Sequence, residues 1–222
     1  MSRSIFALAL LTALAPTAAF AAGGGSGTDA ATTEAELAPA EEIPEGMPSA
    51  LEEFKKRHEL VLLLVKTKVK DEAIQAEVDK LLDYNWIANA ALGGKNRADK
   101  KCDPRCAEYE QLLTRLIRQN YLKRIVQADT GKVEYLGEDK RPRASKVNTR
   151  VTFTKDGQTQ TVEVSYVMHI VNGQWSVRDI ITDGVSLSKN YRYEFHKIMK
   201  DEGIDGLIAR LETKLADLAK TE

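Results

Sequence analysis

Hydrophobic spacing divides the chain into two helical stretches with a period-two stretch between them. From Pro48 to Lys68, Leu51, Phe54, His58, Val61, Leu62 and Val65 fall close to a 3.6-residue period. A second helix is predicted after Asp71, with Ile74, Val78, Leu81, Leu82 and Ile87 on one side and Gly93-Gly94 as its stop. The basic stretch GGKNRADKK reads as a loop leading to Asp103-Pro104, an N-cap followed by proline at the first helical position. The long helix after it turns Tyr109, Leu112, Leu113, Leu116, Ile117 and Tyr121 toward a core and ends near Asp129 to Gly131.

The period then changes to two. Val133 and Tyr135 begin a short strand, and a polar loop with a proline spans Arg141 to Ala144. Val147, Thr149, Val151 and Phe153 share one face, and Val162, Val164, Tyr166, Met168 and Ile170 return after the Asp156-Gly157 hairpin signal. Asn172-Gly173 is a second hairpin signal before a strand in which Trp175, Val177 and Asp179 point one way while Ser176, Arg178 and Ile180 point the other. Beyond the polar turn at Asp183-Gly184, Leu187, Tyr191, Phe195 and Met199 recur every fourth residue, a helical stripe. Two closing helices are expected, Ser188 to Glu202 and Ile204 or Asp205 to the C-terminus, with Gly203 between them. Helices, then an antiparallel meander of about four strands, then helices define an α+β fold.

Composition changes this picture at the N-terminus. Arg3, the apolar run Ile5 to Leu14, Pro16 and the Ala19-Phe20-Ala21 site make residues 1–21 a secretory signal peptide, cleaved after Ala21. Residues 22–47 are rich in Gly, Ala, Thr, Pro and Glu and are expected to be a disordered acidic segment. Residues 48–222 then form a single domain, expected to be an exported monomer. The whole chain carries −1; removing Arg3 gives −2, and setting aside the six acids of the segment leaves +4 on the body. That charge is too dilute for a nucleic-acid partner. Lys95, Arg97, Lys100, Lys101 and Arg105, and likewise Arg141, Arg143 and Lys146, read as solvated basic loops, with a docking surface as the second reading.

Little in the sequence points to catalysis. Cys102 and Cys106, four residues apart, read as a local disulfide in an oxidising compartment; the rival is a metal pair, for which two sulfurs are half a zinc set. His58, His169 and His196 show no ligand spacing, and no G-x-S-x-G elbow, phosphate loop or dinucleotide fingerprint occurs. His169 reads as a partly exposed sheet histidine. Asp179, on the face of Trp175 and Val177, is either a hydrogen-bonded structural carboxylate or a general base. No metal, no cofactor and no enzymatic activity is expected.

The stretch WSVRDIITDGVSLSKNYRYEFHKIMKDEGIDGLIARLETK resembles the C-terminal signature of the MlaC/toluene-tolerance family of periplasmic phospholipid-binding proteins. The matching positions are Trp175, Val177 and Asp179; Gly184 to Leu187; Asn190 to Arg192; Phe195; and Gly203, Asp205, Leu207, Ile208 and Leu211. VEVSYVMHIVNGQW is similar to the family's penultimate strand and hairpin, and LLDYNWIANAALGG to an upstream segment through Asp83, Tyr84, Leu92 and Gly93. The resemblance implies a strongly twisted sheet of nuclear-transport-factor-like or cystatin-like type, with helices enclosing an apolar cavity. It also implies a periplasmic shuttle of phospholipid between an outer-membrane lipoprotein–porin complex and an inner-membrane MCE-domain/ABC transporter complex, contributing to outer-membrane lipid asymmetry.

Within that frame, periodicity nominates Tyr166, Met168, Trp175, Val177, Leu187, Tyr191 and Phe195 as the lining, with Leu92, Leu116 and Tyr121 as helical partners. Core and lipid pocket read alike at each of these positions. Lys189 and Arg192 are the headgroup candidates at the mouth. Two other functions stand beside the phospholipid shuttle: a carrier of a hopanoid or other apolar solute, and a cavity enzyme with Asp179 as base.

Overall fold

The computed structural model describes residues 42–127, 131–155 and 157–220. The predicted signal peptide and residues 22–41 of the acidic segment lie outside them. Among the described residues are helices α1 (Ala50–Lys66), α2 (Asp71–Asp79), α3 (Tyr84–Ala91), α4 (Lys95–Cys102) and α5 (Cys106–Gln127), strands β1 (Lys132–Arg141), β2 (Ala144–Lys155), β3 (Gln158–Val171), β4 (Gln174–Thr182) and β5 (Val185–Ser186), and helix α6 (Leu187–Ala219). The fold is α+β, with one open antiparallel sheet in the order β1-β2-β3-β4-β5.

Local chemistry explains most of these boundaries. Ser49 and Glu52 form a reciprocal capping box at the start of α1: the Glu52 N–H donates to Ser49 Oγ at 3.2 Å, and the Ser49 N–H to Glu52 Oε2 at 3.0 Å. Asn172 and Gly173 both take positive φ (51° and 73°), as a two-residue turn compatible with sheet twist demands. Asp183 and Gly184 do the same, and so add the short β5 before α6 begins. The closing helices join at a kink where Gly203 holds φ 67° and ψ −165°, a conformation essentially closed to other residues.

Three expectations need correction. The basic stretch from Lys95 is a helix, α4, rather than a loop, and it buries Ala98 and Cys102. The next helix starts at Cys106; Asp103 and Pro104 lie in the connection, joined by a cis peptide bond. The predicted second helix is two helices. Between them Leu82 pairs in parallel with Val177, whose N–H donates to the Leu81 carbonyl at 2.8 Å and whose carbonyl accepts from the Asp83 N–H at 2.9 Å. An unpaired stretch of β4 edge claims these residues, because buried backbone groups must find partners. Asp83 then caps α3 by accepting from the Trp86 N–H at 3.0 Å.

The core lies between one face of the sheet and the helices. Helix α1 packs on β1, β2 and β4; α3 and α6 pack on β4; and α5 packs on α2, α3, α4 and α6. Ile43 and Met47 pack against the same core, and the Trp175 indole N–H donates to the Pro48 carbonyl at 2.9 Å, so packing begins ahead of α1. No helix among the described residues is long and apolar enough to cross a membrane.

Candidate functional site

All ten apolar candidates belong to one contiguous cluster. Leu92, Leu116, Tyr166, Met168, Trp175, Val177, Tyr191 and Phe195 are buried in it, and Tyr121 and Leu187 pack partly buried against it. The sheet supplies one wall through antiparallel partners that share a face, Tyr166 opposite Ile180, Met168 opposite Val177 and Ile170 opposite Trp175. Helix α6 supplies the other wall, with Tyr191 and Phe195 tilted against each other at 5.3 Å and Tyr109 of α5 edge-on to Phe195 at 6.1 Å.

Among the described residues the structure does not show the enclosed apolar cavity that the resemblance implies. The candidate side chains close on one another. Two pockets, of 270 and 230 Å³, lie where Met47 and Pro48 cross Trp175, and Trp175 is the only one of the ten that borders them. Both are smaller than the roughly 300–1,000 Å³ of an ordinary ligand site.

A second aromatic group lines the α1 side of the same interior. The rings of Phe54 and Tyr166 are 4.2 Å apart and those of Phe54 and His58 5.0 Å, while His58 Nδ1 lies 3.0 Å from the Tyr135 hydroxyl. Burial pushes the His58 imidazole down to about 4. The Tyr121 hydroxyl is buried and has no hydrogen-bond partner among the described residues, and burial first, then nearby Tyr135, raises its pKa. The spacing of α1 placed Phe54 and His58 on a buried stripe, but gave no sign that they meet Tyr135 and Tyr166.

Asp179 is not on the core face. Val167 pairs with Asp179 but Met168 pairs with Val177, so Arg178 is an extra residue in β4 and alternation reverses after it. The carboxylate ties the strand to the start of α6: Oδ1 accepts from the N–H groups of Ile180 and Ser188, each at 3.0 Å, and Oδ2 from the Ser186 hydroxyl at 2.5 Å. This is the structural carboxylate, with the roles of a fastener and a cap, and it leaves the general-base reading without an apolar setting. Arg178 itself is buried. Its Nε lies 2.9 Å from Asp83 Oδ2, and its guanidinium lies over Trp86 at 5.8 Å. Trp86 stacks at 6.5 Å on His169, which is half-buried and whose pKa falls to about 4 through burial and then the charge of Arg178.

Cys102 and Cys106 form a disulfide that joins α4 to α5. Among the described residues no group of three or more His, Cys, Asp or Glu side chains is placed to hold a metal ion. Of the two headgroup candidates, Arg192 reaches Gly93 at the end of α3, whereas Lys189 is exposed in the first turn of α6.

A single antiparallel sheet backed by helices over one continuous apolar cluster is an α+β fold whose interior carries no group of catalytic residues among those described. The chain belongs to the MlaC family: the family model described as MlaC protein matches residues 64–213. Its fold is similar to that of a phospholipid-binding protein from Ralstonia solanacearum, solved in complex with a phospholipid. The TM-score is 0.65 at 20% sequence identity, over 78% of this chain and 99% of that one. No curated protein sequence matches the chain significantly.

Proposed function

We propose that this protein is a periplasmic phospholipid carrier that holds acyl chains between the sheet and α3, α5 and α6. The observation that carries the reading is family membership together with one apolar cluster that draws on all of those elements. Each buried methylene contributes about 0.8 kcal/mol, so two chains with roughly 30 methylenes resist entering water by more than about 20 kcal/mol. Unassisted crossing of an aqueous space is then negligible. A carrier has only to offer an apolar interior comparable to a bilayer, and such attraction is non-directional. The same physics accounts for a binding interior built without a catalytic group.

Because the described interior is closed, loading separates the helices from the sheet. The phospholipid bound by the Ralstonia protein supports phospholipid as the cargo. Export behind the predicted signal peptide, delivery to an MCE/ABC transporter complex and exchange with an outer-membrane lipoprotein–porin complex complete the proposed role.

Organic extraction of the purified protein followed by mass spectrometry tests the cargo. Phospholipid in near-equimolar amount is the expected result. A hopanoid or another apolar solute in its place would move the assignment to the alternative carrier, and an extract with no lipid above that of an unrelated exported protein would overturn it.

A further inference from the structure

Outside the apolar interior, three cations gather over the buried backbone of Gly93. A methyl group placed on Gly93 would lie 3.4 Å from Arg97 Cδ, 3.7 Å from Lys101 Nζ and 3.9 Å from Arg192 Nε. Two of these side chains come from α4 and the third from α6, so the fold brings together charges that the sequence separates. Lys101 Nζ donates to the Leu92 carbonyl at 2.7 Å, which fixes it at this corner. Among the described residues none of the three is in an ion pair, whereas Arg57, Arg105, Arg118, Arg150, Arg178 and Arg210 each hold a carboxylate.

Like charges brought this close without a counter-charge are unfavourable unless an anion joins them. Lys101 shows the strain: burial, then Arg192 and Arg97, lowers its pKa. Two arginine side chains and an ammonium converging on one corner match a tetrahedral oxyanion, because a guanidinium offers paired donors and the ammonium a point charge. The corner also adjoins the proposed tail region, since Leu92 precedes Gly93, Tyr191 precedes Arg192, and both Leu92 and Tyr191 are buried in the apolar cluster.

We propose that Arg97, Lys101 and Arg192 form a phosphate site at the Gly93 corner, which takes the headgroup phosphate of a lipid or a free phosphate ion. The headgroup source rests on the carrier reading above; the site itself does not. Calorimetric titration of the full exported chain with a short-chain phosphatidylglycerol and with the diacylglycerol of the same chains measures the headgroup contribution. Two-dimensional NMR with inorganic phosphate reads the Gly93 amide directly.

The wild type is expected to bind the phospholipid at least ~10-fold more tightly than the diacylglycerol, as charge-assisted hydrogen bonds to phosphate imply. In the Arg97→Gln/Arg192→Gln double variant, whose substituted side chains are exposed, and independently in Lys101→Met, that ratio falls toward one. A saturable phosphate shift at Gly93 with no binding of either lipid would leave a free-phosphate site standing and sink the carrier reading. A ratio that is the same in wild type and both variants, with Gly93 unmoved by phosphate, would overturn the site. A preference for phospholipid would in that case still leave the carrier reading intact.

Discussion

Two aromatic clusters occupy the same interior and differ in how their polar tips are met. Between α3, α5 and α6, Tyr109, Tyr191 and Phe195 pack together, and the Tyr109 hydroxyl donates to the Ala88 carbonyl at 2.9 Å. Under α1, the cluster of Phe54, Tyr135 and Tyr166 holds the neutral imidazole of His58, and the unpartnered Tyr121 hydroxyl lies within electrostatic reach of Tyr135 and Tyr166. His58 and Tyr135 meet each other at 3.0 Å, so among the described residues of this cluster it is the Tyr121 hydroxyl that water would satisfy better than the core does. The α1 side therefore carries a desolvation cost at Tyr121 that the hydrogen-bonded Tyr109 hydroxyl of the α6 side does not.

The sharpest way to break this contrast is through the α6 side. Phe195→Ala should cost about 3–5 kcal/mol, as truncation of a fully buried aromatic does, read as a drop in denaturation midpoint at pH 7. A loss below about 1 kcal/mol would mean that Phe195 is not held by the close packing described for this cluster.

Acid should act on the other side through His58. His58 titrates near 4 when folded against an ordinary 6.5, so the unfolded chain takes up the proton first. The stabilisation is complete above pH 6.5, fades as the pH falls from there toward 4, and changes no further below that. For His58 the loss amounts to about 3 kcal/mol across the window. His169 shifts in the same direction and adds to the slope. Melting curves from pH 7 to 4 should show the decline, and His58→Phe should flatten part of it; an unchanged slope in that variant would place the acid sensitivity elsewhere.

The smallest effects carry opposite signs. Tyr109→Phe removes a satisfied hydroxyl and should destabilise by about 1 kcal/mol. Tyr121→Phe removes an unsatisfied one and should stabilise by up to about 1 kcal/mol. Equal signs for this pair of matched substitutions would erase the distinction between the clusters.

Periodicity was enough to place the meander, the turn at Asn172-Gly173, the break at Gly203 and the buried stripes of α1, α5 and α6, because each of those is set by neighbours in the chain. The misplacements have long-range causes. One extra residue at Arg178 reverses the faces of β4, and its reason lies in Asp83, a partner 95 positions away. The same Asp83 region leaves the helical pattern in order to complete the β4 edge. The meeting of Arg97 and Lys101 with Arg192 was likewise hidden, since a basic run looks the same whether it faces solvent or another helix. The lining candidates were legible as apolar and inward-facing, and the structure adds that they meet in one cluster. Spacing alone does not separate a core that stays shut from one that opens.

The fastening of Asp179 bears on how any loss-of-function result at that position is read. An asparagine there would keep the shape, with its amide oxygen still accepting from Ile180 and Ser188, but its NH2 would face a Ser186 hydroxyl that now donates to the carboxylate and whose oxygen already accepts from the Lys189 N–H. The first turn of α6 would loosen, and with it the placement of Tyr191 and Arg192. Inactivation by a carboxylate-to-amide exchange, usually taken as the mark of proton transfer, would at this residue report a slipped joint.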